Sequence, residues 1–185
     1  MSQPESELLL WHPPGRRLSP RIAALARRVQ LLGGATAMAE WGPQQPGVRV
    51  AYVNDEKHDL WWEFSLWASF RWQAHLQGLT SDSFRRRLRH VATGLNLDPL
   101  LDQRVEDLTV AELTRANLAV ALLPRPNLLI WEEPLCRLAP DEAEYVADFV
   151  RQQVATEGLT VIAVGTRLAE AASLLPRVGK TLIAR

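Results

Sequence analysis

The chain has 185 residues, 47% of them hydrophobic, and balances 21 Lys plus Arg against 21 Asp plus Glu. That length suits one well-buried core, or two small subdomains sharing one, and a formal charge of zero excludes a global field that would draw nucleic acid or an anionic membrane. The single cysteine, Cys136, excludes an internal disulfide framework, and four scattered histidines offer no zinc spacing, so a reducing cytoplasm is the expected setting.

The opening MSQPESELLLWHPPG lacks the basic leader and long apolar core of a secretion signal, and no run of about 18 apolar residues follows it, so membrane association is expected only through a partner. Glu7 to Trp11 is a short apolar run ended by His12-Pro13-Pro14-Gly15, the pattern of a buried strand emptying into a loop. Pro20 suits the first turn of a helix in which Ile22, Leu25, Ala26 and Val29 recur at helical spacing, and Gly33-Gly34 ends it. Ala35 to Trp41 and Val48 to Val53 read as two strands joined by the turn Gly42 to Gly47.

From Asp59 to Leu123 the composition turns helical. Leu60, Phe64, Trp67 and Phe70 predict one helical face, Phe84 to Leu97 a second helix, and Thr109 the start of a third. Three helices without an intervening strand predict a helical subdomain, residues 57–125, inserted into a single domain of residues 1–185. Then come a strand at Leu128 to Trp131, a helix at Asp141 to Ala155, a strand at Leu159 to Val164, a helix at Leu168 to Leu175 and a strand at Val178 to Ala184. This alternation predicts an α/β fold with a mainly parallel sheet covered on both faces.

Two stretches invite functional readings. Phe84-Arg85-Arg86-Arg87-Leu88-Arg89-His90 has the charge of a nucleic-acid patch, but with Leu88 and Val91 inward its arginines read as a solvated face. Trp61, Trp62, Trp67 and Trp72 are core residues by type, yet four within twelve positions exceed what one small helix buries, so at least one or two are expected at the surface.

Thr109, with Glu112 three residues later and an apolar run beyond, has the pattern of a capping box, in which each side chain satisfies an orphaned backbone N–H. The stretch Leu108-Thr109-Val110-Ala111-Glu112, with Arg115 behind it, Ala121-Leu122-Leu123 at the helix end and the Arg125-Pro126 turn, resembles without a gap the signature segment of ABC-type ATPases, usually LSGGQ. Leu128-Leu129-Ile130-Trp131-Glu132-Glu133-Pro134 is similar to that family's Walker B strand. The resemblance extends over nearly the whole chain. His12 to Ser19 stands where the family has its phosphate loop, GxxxxGK[S/T], with His12 and Arg17 at the flanking glycines and Leu18 at the lysine. Tyr52 to Glu56 resembles the glutamine-loop segment, with Asp55 for glutamine. Arg137-Leu138-Ala139-Pro140 resembles the loop that meets the opposite subunit, Ala139 replacing its aspartate, and Thr166 stands at the switch histidine. Against the family pattern the chain starts past the first two strands and the adenine-stacking aromatic residue, as in an N-terminally shortened member.

The resemblance implies a P-loop NTPase-like, ABC-type core and assigns roles by position. Pro13, Gly15, Arg16, Arg17, Leu18, Ser19 and Asp55 stand at nucleotide-binding positions, Ser19 and Glu132 at magnesium, and Glu133 at the carboxylate that polarises the attacking water. ATP and magnesium are the cofactors implied. Chemistry argues against full retention of that function. A phosphate cradle needs bare backbone N–H groups at a helix N-terminus and a lysine for the β and γ phosphates, and Arg17 and Leu18 supply neither. The loop reads rather as a Pro/Gly turn before a helix, and the Glu132-Glu133 pair as vestigial or structural. At the signature, Val110 and Ala111 add side chains and Glu112 adds negative charge where phosphate would approach.

The reading implied is a degenerate ATP-binding subunit of a membrane transporter, a pseudo-ATPase impaired in hydrolysis. It is expected to be cytoplasmic and peripheral, pairing in a homo- or heterodimer with a second ATPase subunit, docking on a permease, and binding no nucleic acid. The family's helical subdomain receives the permease's coupling helix, so exposed tryptophans there imply an aromatic docking surface. A divergent but active ATPase, and a soluble adaptor without a transporter, are the alternatives.

Overall fold

The computed structural model describes residues 7–11, 24–26, 28–29, 48–54 and 59–165. The expected phosphate loop, the strand Ala35 to Trp41 with its following turn, and the last helix and strand lie outside the described residues. The elements are β1 (Glu7–Trp11), β2 (Val50–Val53), α1 (Leu66–Leu76), α2 (Ser81–Gly94), α3 (Val110–Leu122), β3 (Leu128–Glu132), α4 (Pro140–Glu157) and β4 (Thr160–Gly165), with 3-10 turns at Asp98–Leu100 and Val105–Asp107. Positions 24–26 and 28–29 are helical as well.

The strands form one sheet in the order β1-β4-β3-β2. β2, β3 and β4 run parallel, Val50 beside Leu128 and Leu128 beside Thr160. Strands of such a sheet are apolar on both sides because both faces are covered, and β3 shows it by alternation. Leu128 and Ile130 pack with Ile162, Val164, Leu25 and Val29 on one face. Leu129 and Trp131 pack with Val161, Ala163 and residues of α1 to α4 on the other. β1 departs from the parallel set. It pairs antiparallel with β4, Glu7 beside Gly165 and Trp11 beside Val161.

Between Val53 and Leu128 the described residues contribute three α-helices and no sheet strand. The first begins at Leu66, later than the face from Leu60 predicts, because the Ser65 hydroxyl accepts a bond from the Ala68 N–H and caps it there. Leu60 and Phe64 therefore precede the helix in a turn. The second is bounded by Thr80, whose hydroxyl accepts from the Ser83 N–H, and stops at Gly94, short of the expected Leu97. Asn96 at φ 50° reverses the chain there, a conformation its short polar side chain tolerates. α4 opens on Pro140 at its first turn and closes on Gly158 at φ 72°.

The expected solvated face of α2 needs one correction. Leu88 and Val91 are inward as expected, but Arg87 is buried. Its Nη1 donates to Glu157 Oε1 at 2.6 Å and its Nη2 to the Leu122 carbonyl at 2.9 Å, so it ties α2 to the end of α4 and the end of α3. Periodicity alone does not reveal a cation whose partner lies 70 residues away.

Candidate functional site

β3 and β4 end together, and their carboxyl edge is where an open parallel sheet binds ligands. Glu132 lies beside Val164 in the ladder, and the Glu133 N–H donates to the Val164 carbonyl at 2.7 Å, so the carboxylate pair is fastened to β4. Glu133 sits at φ 45° and the buried Leu135 at φ 66°. Such left-handed backbone on a non-glycine residue costs on the order of 1 kcal/mol and is held only by what surrounds it. Gly165 lies close against Glu133: a Cβ there would lie 2.6 Å from Glu133 Oε2 and 3.3 Å from its Cα, so a larger residue would push the carboxylate aside.

Glu132 has a partner from the neighbouring strand. The Tyr52 hydroxyl donates to Glu132 Oε2 at 2.7 Å, and Asn54 Nδ2 donates to the Tyr52 oxygen at 3.0 Å. Tyr52 and Asn54 fall in the glutamine-loop-like segment, but their contact with Glu132, like the approach of Gly165, is what sequence reasoning missed. A tyrosine inside the apolar run Val50 to Val53 is the available signal, because a half-buried phenol finds a polar partner.

The signature-like stretch forms the start of α3. Thr109 is its N-cap: its hydroxyl accepts from the Glu112 N–H at 3.3 Å, and Glu112 Oε2 accepts from both the Thr109 N–H and the Thr109 hydroxyl at 2.8 Å. The capping box is therefore complete. Glu112 is held below the usual carboxylate range, first by the Thr109 N–H. The positive end of α3 thus already carries an internal anion, and the half-exposed Val110 side chain adds bulk beside it.

Of the remaining site residues expected from sequence, Pro13, Gly15, Arg16, Arg17, Leu18, Ser19, Asp55 and Thr166 lie outside the described residues. β1 gives one relevant fact. Trp11, the last residue of β1, lies beside Val161 near the start of β4, whereas Glu132 lies beside Val164 near its end; because β1 runs antiparallel, its carboxyl end sits three residues, about 10 Å along the strand direction, back from the carboxylate edge.

A second site candidate lies on the helices. Trp61, Trp62, Trp67 and Trp72 are all 40–49% exposed, and Phe64 is 47% exposed. At least one or two tryptophans are expected at the surface from sequence, and all four are there. Trp61 contacts both Phe64 and Trp72, with ring centroids at 5.5 and 5.3 Å, and the rings wall a groove of about 730 Å³ between the 61–64 turn, α1 and α2.

No family model matches the chain. An ABC transporter ATP-binding protein of Streptococcus pneumoniae is 33% identical over 87 residues, covering 47% of this chain and 16% of that protein. The Fe(3+) ions import ATP-binding protein FbpC of Streptomyces avermitilis is 28% identical over 149 residues, 80% of this chain and 42% of its own length. The chain thus spans less than half the length of these curated relatives. Two solved structures share the fold: cbiO1 of Clostridium perfringens, part of the ABC transporter complex cbiONQ, at TM-score 0.54 and 18% identity over 71% of this chain and 50% of that one, and an ATP-binding subunit of an ABC transporter at TM-score 0.59 and 22% identity over 73% and 59%.

Proposed function

We propose that the chain is a member of the ABC transporter ATPase family and, from that premise, that it is an ATP-binding-type subunit of a membrane transporter that has lost most of its capacity for hydrolysis. It pairs with a competent ATPase subunit and docks from the cytoplasmic side on a permease, through the aromatic groove of the helical segment at residues 57–125. The observation that carries the impairment is the Glu112 carboxylate bonded to Thr109 at the head of α3, where the family presents serine and glycine N–H groups to a partner's γ phosphate. A fixed anion at that helix end repels the ligand the motif exists to hold.

Other residues support the same reading. The lysine position is Leu18 and the switch-histidine position Thr166. Ser19 and Glu132 are the pair that would hold magnesium, and Glu132 commits one oxygen to the Tyr52 phenol. Were ATP and magnesium bound, they would supply the phosphoryl chemistry. Glu133 would then orient a water, with Pro13, Gly15, Arg16, Arg17 and Asp55 around the nucleotide.

The test is to titrate the purified chain with magnesium-ATP by calorimetry while following phosphate release. Weak or undetectable binding without steady turnover is expected. Tight binding with sustained hydrolysis would overturn the proposal in favour of a divergent active ATPase, a reading that the constrained Glu133 backbone favours. In that case Glu133→Gln abolishes turnover. An adaptor without a transporter is separated from both by affinity capture from detergent extract, which then recovers neither a permease nor a second ATPase.

A further inference from the structure

We infer that Tyr52 is a positioning residue that competes with a divalent cation for Glu132, its phenol holding the carboxylate oxygen that a metal would otherwise draw. This rests on the reading that the carboxyl edge of the sheet is a weakened nucleotide site, and it names one cause of the weakening. The register brings the two side chains together. Tyr52 lies beside Ile130 in the ladder, and Glu132 follows two residues along β3, so all three share one face of the sheet. On that face the half-buried Tyr52 ring packs against the apolar cluster of Leu128, Ile130, Ile162 and Val164. Packing restrains the ring, and its hydroxyl is delivered to Glu132 Oε2 at 2.7 Å.

The donors fix the direction of the contact. A phenol carries one proton, and Tyr52 gives it to Glu132, while its oxygen accepts from Asn54 Nδ2 at 3.0 Å. The relay Asn54 to Tyr52 to Glu132 thus satisfies a half-buried carboxylate oxygen with protein groups alone. A cation approaching Oε2 meets a hydrogen already directed at that oxygen. To admit the cation, Oε2 must release the phenol and leave a half-buried hydroxyl without its acceptor. A hydrogen bond to a metal-binding carboxylate can also assist the metal, by orienting the carboxylate from behind. Position favours competition here. Asn54 stands one residue past the end of β2 and, by the ladder's register, level with Glu132, so the relay joins the two strand ends across the edge where a ligand enters.

The experiment uses the full chain and manganese(II), which takes the same oxygen ligands as magnesium, titrated alone and as its ATP complex and followed by electron paramagnetic resonance. Tyr52→Phe removes only the hydroxyl and is expected to tighten manganese binding about tenfold, and Asn54→Ala, which loosens the phenol without removing it, about threefold, the scale of hydrogen bonds to a charged group. Adding Glu132→Gln to Tyr52→Phe abolishes the gain, because the cation then loses its carboxylate. Far-UV circular dichroism verifies that each variant folds. A purely structural tyrosine would lower the urea midpoint when replaced and leave manganese binding as it is in the parent. That result in both titrations overturns the proposal. Weaker manganese binding in Tyr52→Phe overturns it too, since the phenol then orients the carboxylate for the metal, and so does a gain that survives Glu132→Gln. Failure of the weakened-site reading shows separately, as tight magnesium-ATP binding with sustained hydrolysis by the parent chain, whereas the role of Tyr52 is read from the difference between parent and variant.

Discussion

Glu157 shows how one side chain ties distant segments together. Its Oε1 accepts from Arg87 at 2.6 Å and from Arg125 at 3.2 Å, and His90 Nε2 lies 3.7 Å away. Burial alone would raise its pKa, but the hydrogen bonds and charges of Arg87 and Arg125 outweigh that and hold it below the ordinary carboxylate value. A depressed carboxylate contributes stability that is present above its unfolded pKa, near 4.5, and is lost as pH falls through the lower folded value. Removing Glu157 at neutral pH is worse than protonating it, because the buried Arg87 is then left without its anion. We expect Glu157→Leu to destabilise by about 2–4 kcal/mol in urea melts at pH 7, and Arg87→Met in the same chain to recover most of it. Loss of Arg125, whose side chain is mostly exposed, should cost about 0.2–1 kcal/mol. A single Glu157→Leu variant melting like the parent, or a double variant no better than the single, would show that the pair does not bind these elements together.

Between elements, the contact of α2 with α4 depends on a residue that local propensity alone disfavours. Gly94 is the last residue of α2, and a Cβ there would overlap the Phe149 ring, which is buried on α4. In an exposed helix Gly→Ala stabilises by about 0.5–1 kcal/mol. Here overlap wins, and Gly94→Ala is expected to lower stability by roughly 1–3 kcal/mol, with Phe149→Leu in the same chain relieving it. A more stable Gly94→Ala variant would mean that Phe149 has room to turn aside. The same junction explains where helix boundaries were legible. Ser, Thr and Pro at helix starts are local signals, so the head of α3 was readable from Thr109 and Glu112. The end of α2 was not, because it depends on Asn96 adopting a left-handed turn and on close packing from α4.

At the scale of the molecule, the α/β class and the strands β2, β3 and β4 were legible because strand, helix and Gly/Pro punctuation alternate visibly. The reversed direction of β1 was not, since an apolar run of five residues pairs equally well either way. In the candidate site, Glu132, Glu133, Thr109 and Glu112 could be read from spacing, whereas the Tyr52 hydroxyl on Glu132 bridges 80 residues and leaves no periodic trace. The tryptophans divide along the same line: Trp131 is wholly buried in a central strand, while the four near α1 face outward despite their size. That division makes a global property testable. One apolar cluster runs from Ala51, Val53, Leu129, Trp131 and Val161 in the sheet through Leu66, Phe70, Val91 and Leu118 in the helices to Val150 on α4. The helical segment therefore shares its core with the sheet, and a chain with a shared core unfolds as one unit. Urea melts followed by far-UV circular dichroism and by tryptophan fluorescence are expected to coincide in the parent and in the Trp61→Ala, Trp72→Ala variant, where fluorescence is weighted toward the sheet. Separated midpoints, with the helical signal lost first, would mean that the segment folds independently and that the cluster is continuous in contact but not in cooperativity.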